Sequence, residues 1–304
     1  MVLEYLGSLQ MRGILRAPVD AEARGILREW MLAARRGEPR VKRAATPPQD
    51  PAPRPGEPAE EPAAPNEDFN AMRLSLNVDD PAPAQDAPPP FLPGGRNAQE
   101  AWQAMRTVLP AWEPVAKLGT LRNIPVFGEG NPEADIMMVA DAPGYQDEKA
   151  GRPVQGEAGE KLDGMLKAMG LERKDVYLTP LVKFRPSQPR QTFNTRPPSE
   201  QEVRAFLPVL DFEIALVRPK VIVAFGVLVA RALLQRGNLP LSDYQGSDNT
   251  YRGLPVVVTH HPSYLLRTSD LAERRRLWEE MLRVMELVGL PVSERQRGYF
   301  LPKN

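Results

Sequence analysis

The two histidines of the chain, His260 and His261, lie next to each other in a short segment that ends at Arg267. An apolar run from Val256 to Thr259 precedes them, and such a run is typical of a buried strand. Histidines at the carboxyl end of a strand are well placed to donate or accept protons near neutral pH. The segment is therefore a candidate site for acid–base chemistry, although a chance pair on the surface gives the same pattern.

A carboxylate follows an earlier apolar run in the same way. Asp141 comes directly after the run that starts at Ile136, and a loop rich in Gly and Pro then extends to Gly159. Glycine lets the backbone approach a ligand closely, and the start of a helix offers free N–H groups. By itself the pattern indicates a loop over an anion or a base.

A third group of residues is basic. Lys183, Arg185, Arg190 and Arg196 follow another apolar run, and no acid occurs between Asp175 and Glu200. Because the whole chain has 39 basic and 39 acidic residues, any DNA-binding surface has to be local. The loop fits a phosphate backbone, and a simple solvated loop is the alternative.

Strands and helices alternate around these loops. The apolar runs that suit buried strands are Ile136 to Val139, Val176 to Leu178, Val221 to Phe225 and Val256 to Thr259. Helices are predicted from Gly159 to Met169, from Ser199 with its capping-box Glu202, after Gly226 and after Asp270. The order predicts an α/β fold, a three-layer α/β/α domain with a central parallel four-stranded sheet, whose site lies at the strand carboxyl ends.

Composition divides the chain into three parts. Residues 1–37 carry apolar residues at helical spacing, such as Leu3, Leu6 and Leu9, and predict a helical tether. That tether either docks on a protein partner or packs as a flap on its own domain. Residues 38–96 are dominated by Pro, Ala and acidic residues and predict a disordered linker. Residues 97–304 form the predicted folded domain.

Several classes of site are excluded by composition. The chain has no cysteine, so disulfides, thiolate metal sites, iron–sulfur clusters and thiol nucleophiles are ruled out. No apolar run reaches membrane-spanning length, and the N-terminus has no signal-peptide pattern. We therefore expect a cytoplasmic monomer that has no cofactor, metal or membrane partner.

Across about half of the chain, an ordered series of motifs resembles the uracil-DNA glycosylase superfamily, and especially its fourth, iron–sulfur family. The matching segments are 127–130, 141–144, 151–159, 176–179, 183–186, 218–223 and 261–263. The resemblance implies that DNA is the partner and that a base is flipped out for hydrolysis of its glycosidic bond. It also implies that Asp141 orients the attacking water and stabilises the positive charge that develops on the sugar. His261 is implied to donate a hydrogen bond to the departing base.

The resemblance assigns further residues to the base and to DNA. The base-binding set is Ala142, Pro143, Gly144, Tyr145, Val154, Thr179 and Pro180. Ser263, Leu265 and Arg267 join the basic loop in contacting DNA, with Tyr264 to Leu266 matching the wedge that enters the base stack and Arg267 available for a phosphate. Ordinary packing is the alternative for the leucines.

The chain departs from the family at several of these positions. The four cluster cysteines align with Glu113, Ala116, Phe184 and Phe206, so no cluster can bind and the aromatic rings are expected to fill part of its volume. The family's usual glutamate is Asp141 here. The aromatic that stacks on uracil aligns with Val154, and the asparagine that reads uracil aligns with Pro180. Tyr145, Gln155 and Thr179 are candidate substitutes.

Two functions remain open from the sequence. The first is a DNA glycosylase of base excision repair that removes uracil or another deaminated base. The alternative is a weak or inactive DNA-binding protein of glycosylase descent. A covalent link through a histidine after the second strand is disfavoured, because the histidines are at positions 260 and 261. A nucleotide-binding protein is disfavoured because no phosphate-binding Gly pattern follows the first strand.

Overall fold

The structure is a computed structural model that describes residues 88–301. The predicted tether and most of the predicted linker lie outside these residues. The helices are α1 (Ala98–Val108), α2 (Glu113–Ala116), α3 (Tyr145–Ala150), α4 (Gly156–Met169), α5 (Glu200–Val217), α6 (Val227–Leu234), α7 (Leu271–Leu287) and α8 (Glu294–Arg297). The strands are β1 (Leu121–Pro125), β2 (Glu129–Gly130), β3 (Ile136–Ala140), β4 (Tyr177–Pro180), β5 (Phe184–Pro186), β6 (Val221–Phe225), β7 (Asn249–Tyr251) and β8 (Leu254–Thr259).

The central sheet has six strands in the order β2-β4-β3-β6-β8-β7. The four predicted strands are all present, and they pair in parallel as β4-β3-β6-β8. The predicted count of four strands is wrong, because β2 and β7 add antiparallel edges. These edge strands have two and three residues and no apolar run, so hydrophobic patterning does not reveal them. A separate antiparallel pair joins β1 and β5.

Each face of the sheet packs against helices. Met138 of β3 belongs to a cluster with Leu162 of α4 and Met281 of α7. The next residue back, Met137, belongs to a second cluster that includes Leu210 of α5. Side chains alternate across a strand, so buried residues on both faces explain the continuous apolar runs. The sheet is a rigid base for the loops at its carboxyl edge.

A third apolar cluster corrects the predicted domain boundary. Phe91, placed in the linker by composition, is only 2% exposed and packs edge-on against Trp112 and Phe212, with ring centroids 5.0 and 5.6 Å apart. Because Pro and Ala dominate the sequence around Phe91, composition alone did not indicate that its ring packs in an apolar cluster. The folded domain therefore begins before residue 97, and the stretch 88–96 is part of it.

The helix starts follow the predicted capping residues. Ser199 accepts a hydrogen bond from the N–H of Glu202, whose carboxylate accepts one from the N–H of Ser199, so the predicted capping box is confirmed. Gly226 and Asp270 precede α6 and α7 as predicted. Within residues 88–301, every helix is too short or too polar to cross a bilayer.

Candidate functional site

The carboxyl ends of the parallel strands bring the predicted catalytic residues to one edge of the sheet. Ala140 at the end of β3 pairs with Pro180 of β4, and Phe225 at the end of β6 pairs with Thr259 of β8. Asp141 follows the first pair and the histidines follow the second. Strand register therefore places Asp141 and His261 at the same edge, close enough for the Asp141 carboxylate to act on the pKa of His261.

Asp141 keeps part of its hydrogen-bonding capacity free. Its side chain is half-buried, and Oδ1 accepts a hydrogen bond of 2.9 Å from the N–H of Ala142. Among the described residues, Oδ2 has no hydrogen-bond partner from the protein. A carboxylate fixed by one oxygen can present the other to a water molecule.

His261 is held in one tautomer by the turn that follows it. Its Nδ1 accepts the N–H of Ser263 at 3.2 Å and lies 2.9 Å from the Ser263 hydroxyl. An Nδ1 that accepts leaves the proton of the neutral ring on Nε2. Burial lowers the pKa of His261, while the carboxylates of Asp141 and Asp147 oppose that shift. The imidazole is therefore a neutral donor through Nε2 near neutral pH.

The Asp147 carboxylate binds backbone N–H groups on both sides of α3, at Gly144 and at Gln155. Sequence analysis did not identify this residue. Oδ2 accepts from the N–H of Gly144 at 2.8 Å, and Oδ1 accepts from the N–H of Gln155 at 2.6 Å. Burial raises the pKa of this carboxyl, while the two backbone donors favour its charged form. An acid in the first turn of a helix that follows Gly144 was the available signal.

A second positioning residue that was missed, Arg173, supports the predicted base pocket from behind. Val154 is buried and has a φ of 50°, a left-handed conformation that is costly for a β-branched residue. The Arg173 guanidinium donates to the carbonyls of Val154 at 2.8 Å and Pro153 at 3.1 Å. A Cβ on Gly159 would lie 2.5 Å from the Val154 carbonyl, so only glycine fits there.

Lys183 and Arg185, predicted to contact phosphates, are instead buried. Lys183 is 0% exposed and forms an ion pair of 2.5 Å with Glu213. Arg185 is 1% exposed and forms an ion pair of 3.0 Å with Glu148. The prediction is wrong for both, because acids from α3 and α5 neutralise them inside the protein. Burial lowers the pKa of Lys183, and Glu213 opposes the shift.

The same buried group engages the Thr179 side chain, whose contact with the base stays a prediction. Its hydroxyl lies 3.1 Å from Glu213 and accepts a hydrogen bond of 2.8 Å from Lys183. Lys183 also donates to the Pro180 carbonyl. Burial and the Glu213 carboxylate raise the pKa of Tyr177 well above its usual value. Buried hydrogen bonds from Lys183 and Glu213 therefore hold the carboxyl end of β4 in place.

The remaining predicted DNA contacts divide into exposed and engaged side chains. Arg190 and Arg267 are exposed. Arg196 donates to the Glu202 carboxylate at 2.6 and 2.8 Å and to nearby carbonyls, although its side chain is still 27% exposed, so its phosphate contact stays a prediction. Leu265 packs against the cluster of α4 and α7, which favours the packing alternative for it, whereas Leu266 is 41% exposed.

Other predicted base contacts line the loop after β3. Tyr145 is 40% exposed, Pro143 is buried, and Ala142 packs partly against the third apolar cluster. The N–H of Gly144 is used by Asp147. The loop that begins at Asp141 therefore offers Tyr145 as an accessible aromatic ring.

The positions that align with cluster cysteines do not fit an iron–sulfur cluster. Phe184 and Phe206 are buried with ring centroids 6.1 Å apart, inside the cluster that contains Phe91. Glu113 is largely exposed and pairs with Lys117. Within residues 88–301 no three His, Cys, Asp or Glu side chains are grouped to hold a metal. Apolar packing replaces metal ligands here.

Comparison with known proteins is consistent with this geometry. The model of the family described as "Uracil DNA glycosylase superfamily" matches residues 127–283, which is more than half of the chain. A type-4 uracil-DNA glycosylase from Pyrobaculum aerophilum is 36% identical over 155 residues, covering 48% of this chain and 75% of the relative. One from Sulfurisphaera tokodaii is 36% identical over 183 residues, covering 58% and 80%.

A type-5 uracil-DNA glycosylase from Thermus thermophilus is also similar, at 28% identity over 185 residues, covering 55% of this chain and 81% of the relative. The type-4 relatives confirm the resemblance to the fourth family, and the chain lacks the cysteines of that family.

Proposed function

Because the chain belongs to the uracil-DNA glycosylase superfamily, we propose that it is a DNA glycosylase that hydrolyses the N-glycosidic bond of uracil or another deaminated base. One observation carries the proposal. A carboxylate and a neutral imidazole lie at the same edge of the sheet, and within residues 88–301 one oxygen of the carboxylate and the Nε2–H of the imidazole have no hydrogen-bond partner. These are the two polar groups that the reaction needs.

Each group meets one of the charges that develop as the bond breaks. The sugar becomes positive, and the Asp141 carboxylate stabilises it while its second oxygen orients the attacking water. The departing base becomes negative, and the Nε2–H of His261 donates to it. A neutral donor is effective because Ser263 holds the ring in place before the reaction, so no reorganisation is needed.

Selectivity for uracil is proposed to be low. Val154 offers no stacking face, and Pro180 offers no amide, since its side chain has no donor or acceptor. The carbonyl of Pro180 is already engaged by Lys183. Stacking of a base on an aromatic ring is worth roughly 1–3 kcal/mol, so the site gives up a substantial part of the usual discrimination.

The same losses favour a second candidate function, a DNA-binding protein that does not excise bases. The two candidates differ in one observable, the appearance of an abasic site. Single-turnover assays on single- and double-stranded oligonucleotides with uracil, hypoxanthine or xanthine separate them. Excision of any of these bases supports the glycosylase, and intact DNA in every case supports the binding protein.

The catalytic roles are tested in the same assay. Asp141→Asn and His261→Ala should each lower the rate at least about tenfold, equivalent to roughly 1.4 kcal/mol of transition-state stabilisation. Asp135→Asn is a matched control, because Asp135 pairs with Lys220 on the exposed surface. An unchanged rate in His261→Ala would remove that residue from the mechanism.

A further inference from the structure

The loop between β5 and α5, residues 187–199, presents a single aromatic side chain to solvent. Phe193 is 78% exposed, more than any other large hydrophobic residue that is exposed within residues 88–301. A lone exposed apolar residue needs no explanation. The structure around Phe193 is unusual because the backbone on both sides of it is tied to the protein interior.

Arg185 makes that connection. Its Nη2 donates to the carbonyls of Thr192 and Asn194, the two neighbours of Phe193, and both distances are 2.7 Å. The Asn194 side chain also accepts from the N–H of Thr192 at 2.8 Å. Because Arg185 is buried and paired with Glu148, the loop tip is anchored. The ring is held out in water with little backbone freedom left to lose on binding.

The anchor also links the loop to the candidate active site. The Arg185 guanidinium lies 5.4 Å from the centre of the Tyr145 ring. Tyr145 follows the Asp141–Gly144 loop and begins α3, which carries Glu148. A cation in the same loop, Arg190, is exposed. The backbone on both sides of the exposed ring and the ring of Tyr145 are thus joined through one buried side chain, Arg185.

We propose that Phe193 stacks on an unpaired DNA base next to the flipped nucleotide, while Arg190 contacts the phosphate backbone. This inference rests on the proposed function and extends its DNA interface. Aromatic rings beside cations are how proteins hold single-stranded nucleic acid, because every base has a π-face. A single ring bordered by charge is too small for a protein or membrane docking patch, which requires a contiguous apolar area.

The first experiment measures binding to two single-stranded oligonucleotides of equal length, one with normal bases and one made wholly of abasic sugar phosphates. Phe193→Ala should weaken binding to the normal strand about 5- to 150-fold, the range expected when one base–aromatic stack is removed. Its binding to the abasic strand should stay unchanged. Arg190→Ala should weaken binding to both strands and lower the salt slope by about one.

Phe300→Ala is the matched control, because Phe300 is 40% exposed and lies near the C-terminus. It should bind both strands as the unchanged protein does. Equal losses of affinity for the normal and abasic strands in Phe193→Ala would overturn the stacking proposal. So would an unchanged affinity accompanied by loss of self-association in sedimentation, which would assign the ring to a protein contact.

A second variant provides a readout independent of activity. Phe193→Trp keeps a stacking ring and should retain the affinity for the normal strand. Its added fluorescence should be quenched by that strand and not by the abasic one. Quenching without any base excision would support this inference and contradict the proposed function. Excision by the unchanged protein, with no quenching in Phe193→Trp and no effect of Phe193→Ala on binding, would support the proposed function and contradict this inference.

Discussion

The carboxyl ends of β4 and β8 both carry polar and basic side chains, and they use them in opposite ways. After β4, Lys183 pairs with Glu213 and Arg185 with Glu148, all in the interior. After β8, His261 is fixed by Ser263 through one nitrogen and keeps the other available. Side chains whose partners are already in place stabilise the fold, and those with an unused donor can act on a ligand.

The largest expected effect is on stability at the β4 end. Lys183→Met leaves the Glu213 carboxylate buried without its cation, so the free energy of unfolding should fall by about 3–5 kcal/mol. Urea unfolding curves measure the change. Combining it with Glu213→Gln removes the unpaired charge, so the double variant should be more stable than Lys183→Met. A smaller or absent loss in the single variant would mean that the pair is not buried as described.

A smaller effect is expected at the β8 end, and on rate instead of stability. Ser263→Ala removes the hydroxyl beside Nδ1 of His261 but keeps the N–H that fixes the tautomer. The excision rate should fall roughly two- to tenfold, the effect of one hydrogen bond of about 0.5–1.5 kcal/mol. The unfolding midpoint should stay nearly constant. A large loss of stability would erase the contrast between the two strand ends.

The salt dependence of DNA binding should also differ between a basic residue after β4 and one after β8. Arg267 is exposed, so Arg267→Ala should lower the slope of log affinity against log salt by about one. Arg185→Met removes a buried cation that contacts no phosphate, so the slope should stay nearly constant even though loosening of the 187–199 loop lowers the affinity itself. A fall in slope for Arg185→Met and none for Arg267→Ala would restore the original interpretation of the basic loop.

The smallest expected effect is a shift in pH dependence. The carboxylates of Asp141 and Asp147 raise the pKa of His261, whereas burial and Arg267 lower it. Protonation of Nδ1 breaks its bond with the N–H of Ser263, so excision should fall as pH drops through the His261 pKa. Asp147→Asn removes one of the supporting charges and should move this acid limb to lower pH.

The pH–rate profile at single turnover measures that shift, with Asp135→Asn as the control at a distant ion pair. If the acid limb of the pH–rate profile does not move in Asp147→Asn, the group that titrates there is not His261.

Apolar runs were sufficient to predict the parallel strands, and strand ends were sufficient to predict that Asp141 and His261 share one edge. The buried state of Lys183 could not be predicted, because its partner Glu213 lies 30 positions away on a helix. Arg173 and Asp147 were missed for a related reason. At the site their partners are backbone carbonyl and N–H groups, which apolar patterning does not locate, and only the position of Asp147 in the first turn of a helix gave a signal.

The apolar cluster around Phe91, Phe184 and Phe206 has a consequence for the conditions under which the protein can work. The chain has no cysteine, and this region is held together by burial of hydrocarbon surface. Folding of the region therefore needs neither thiolate ligands nor a bound metal ion. We expect the thermal stability of the purified protein to be the same with and without an iron chelator.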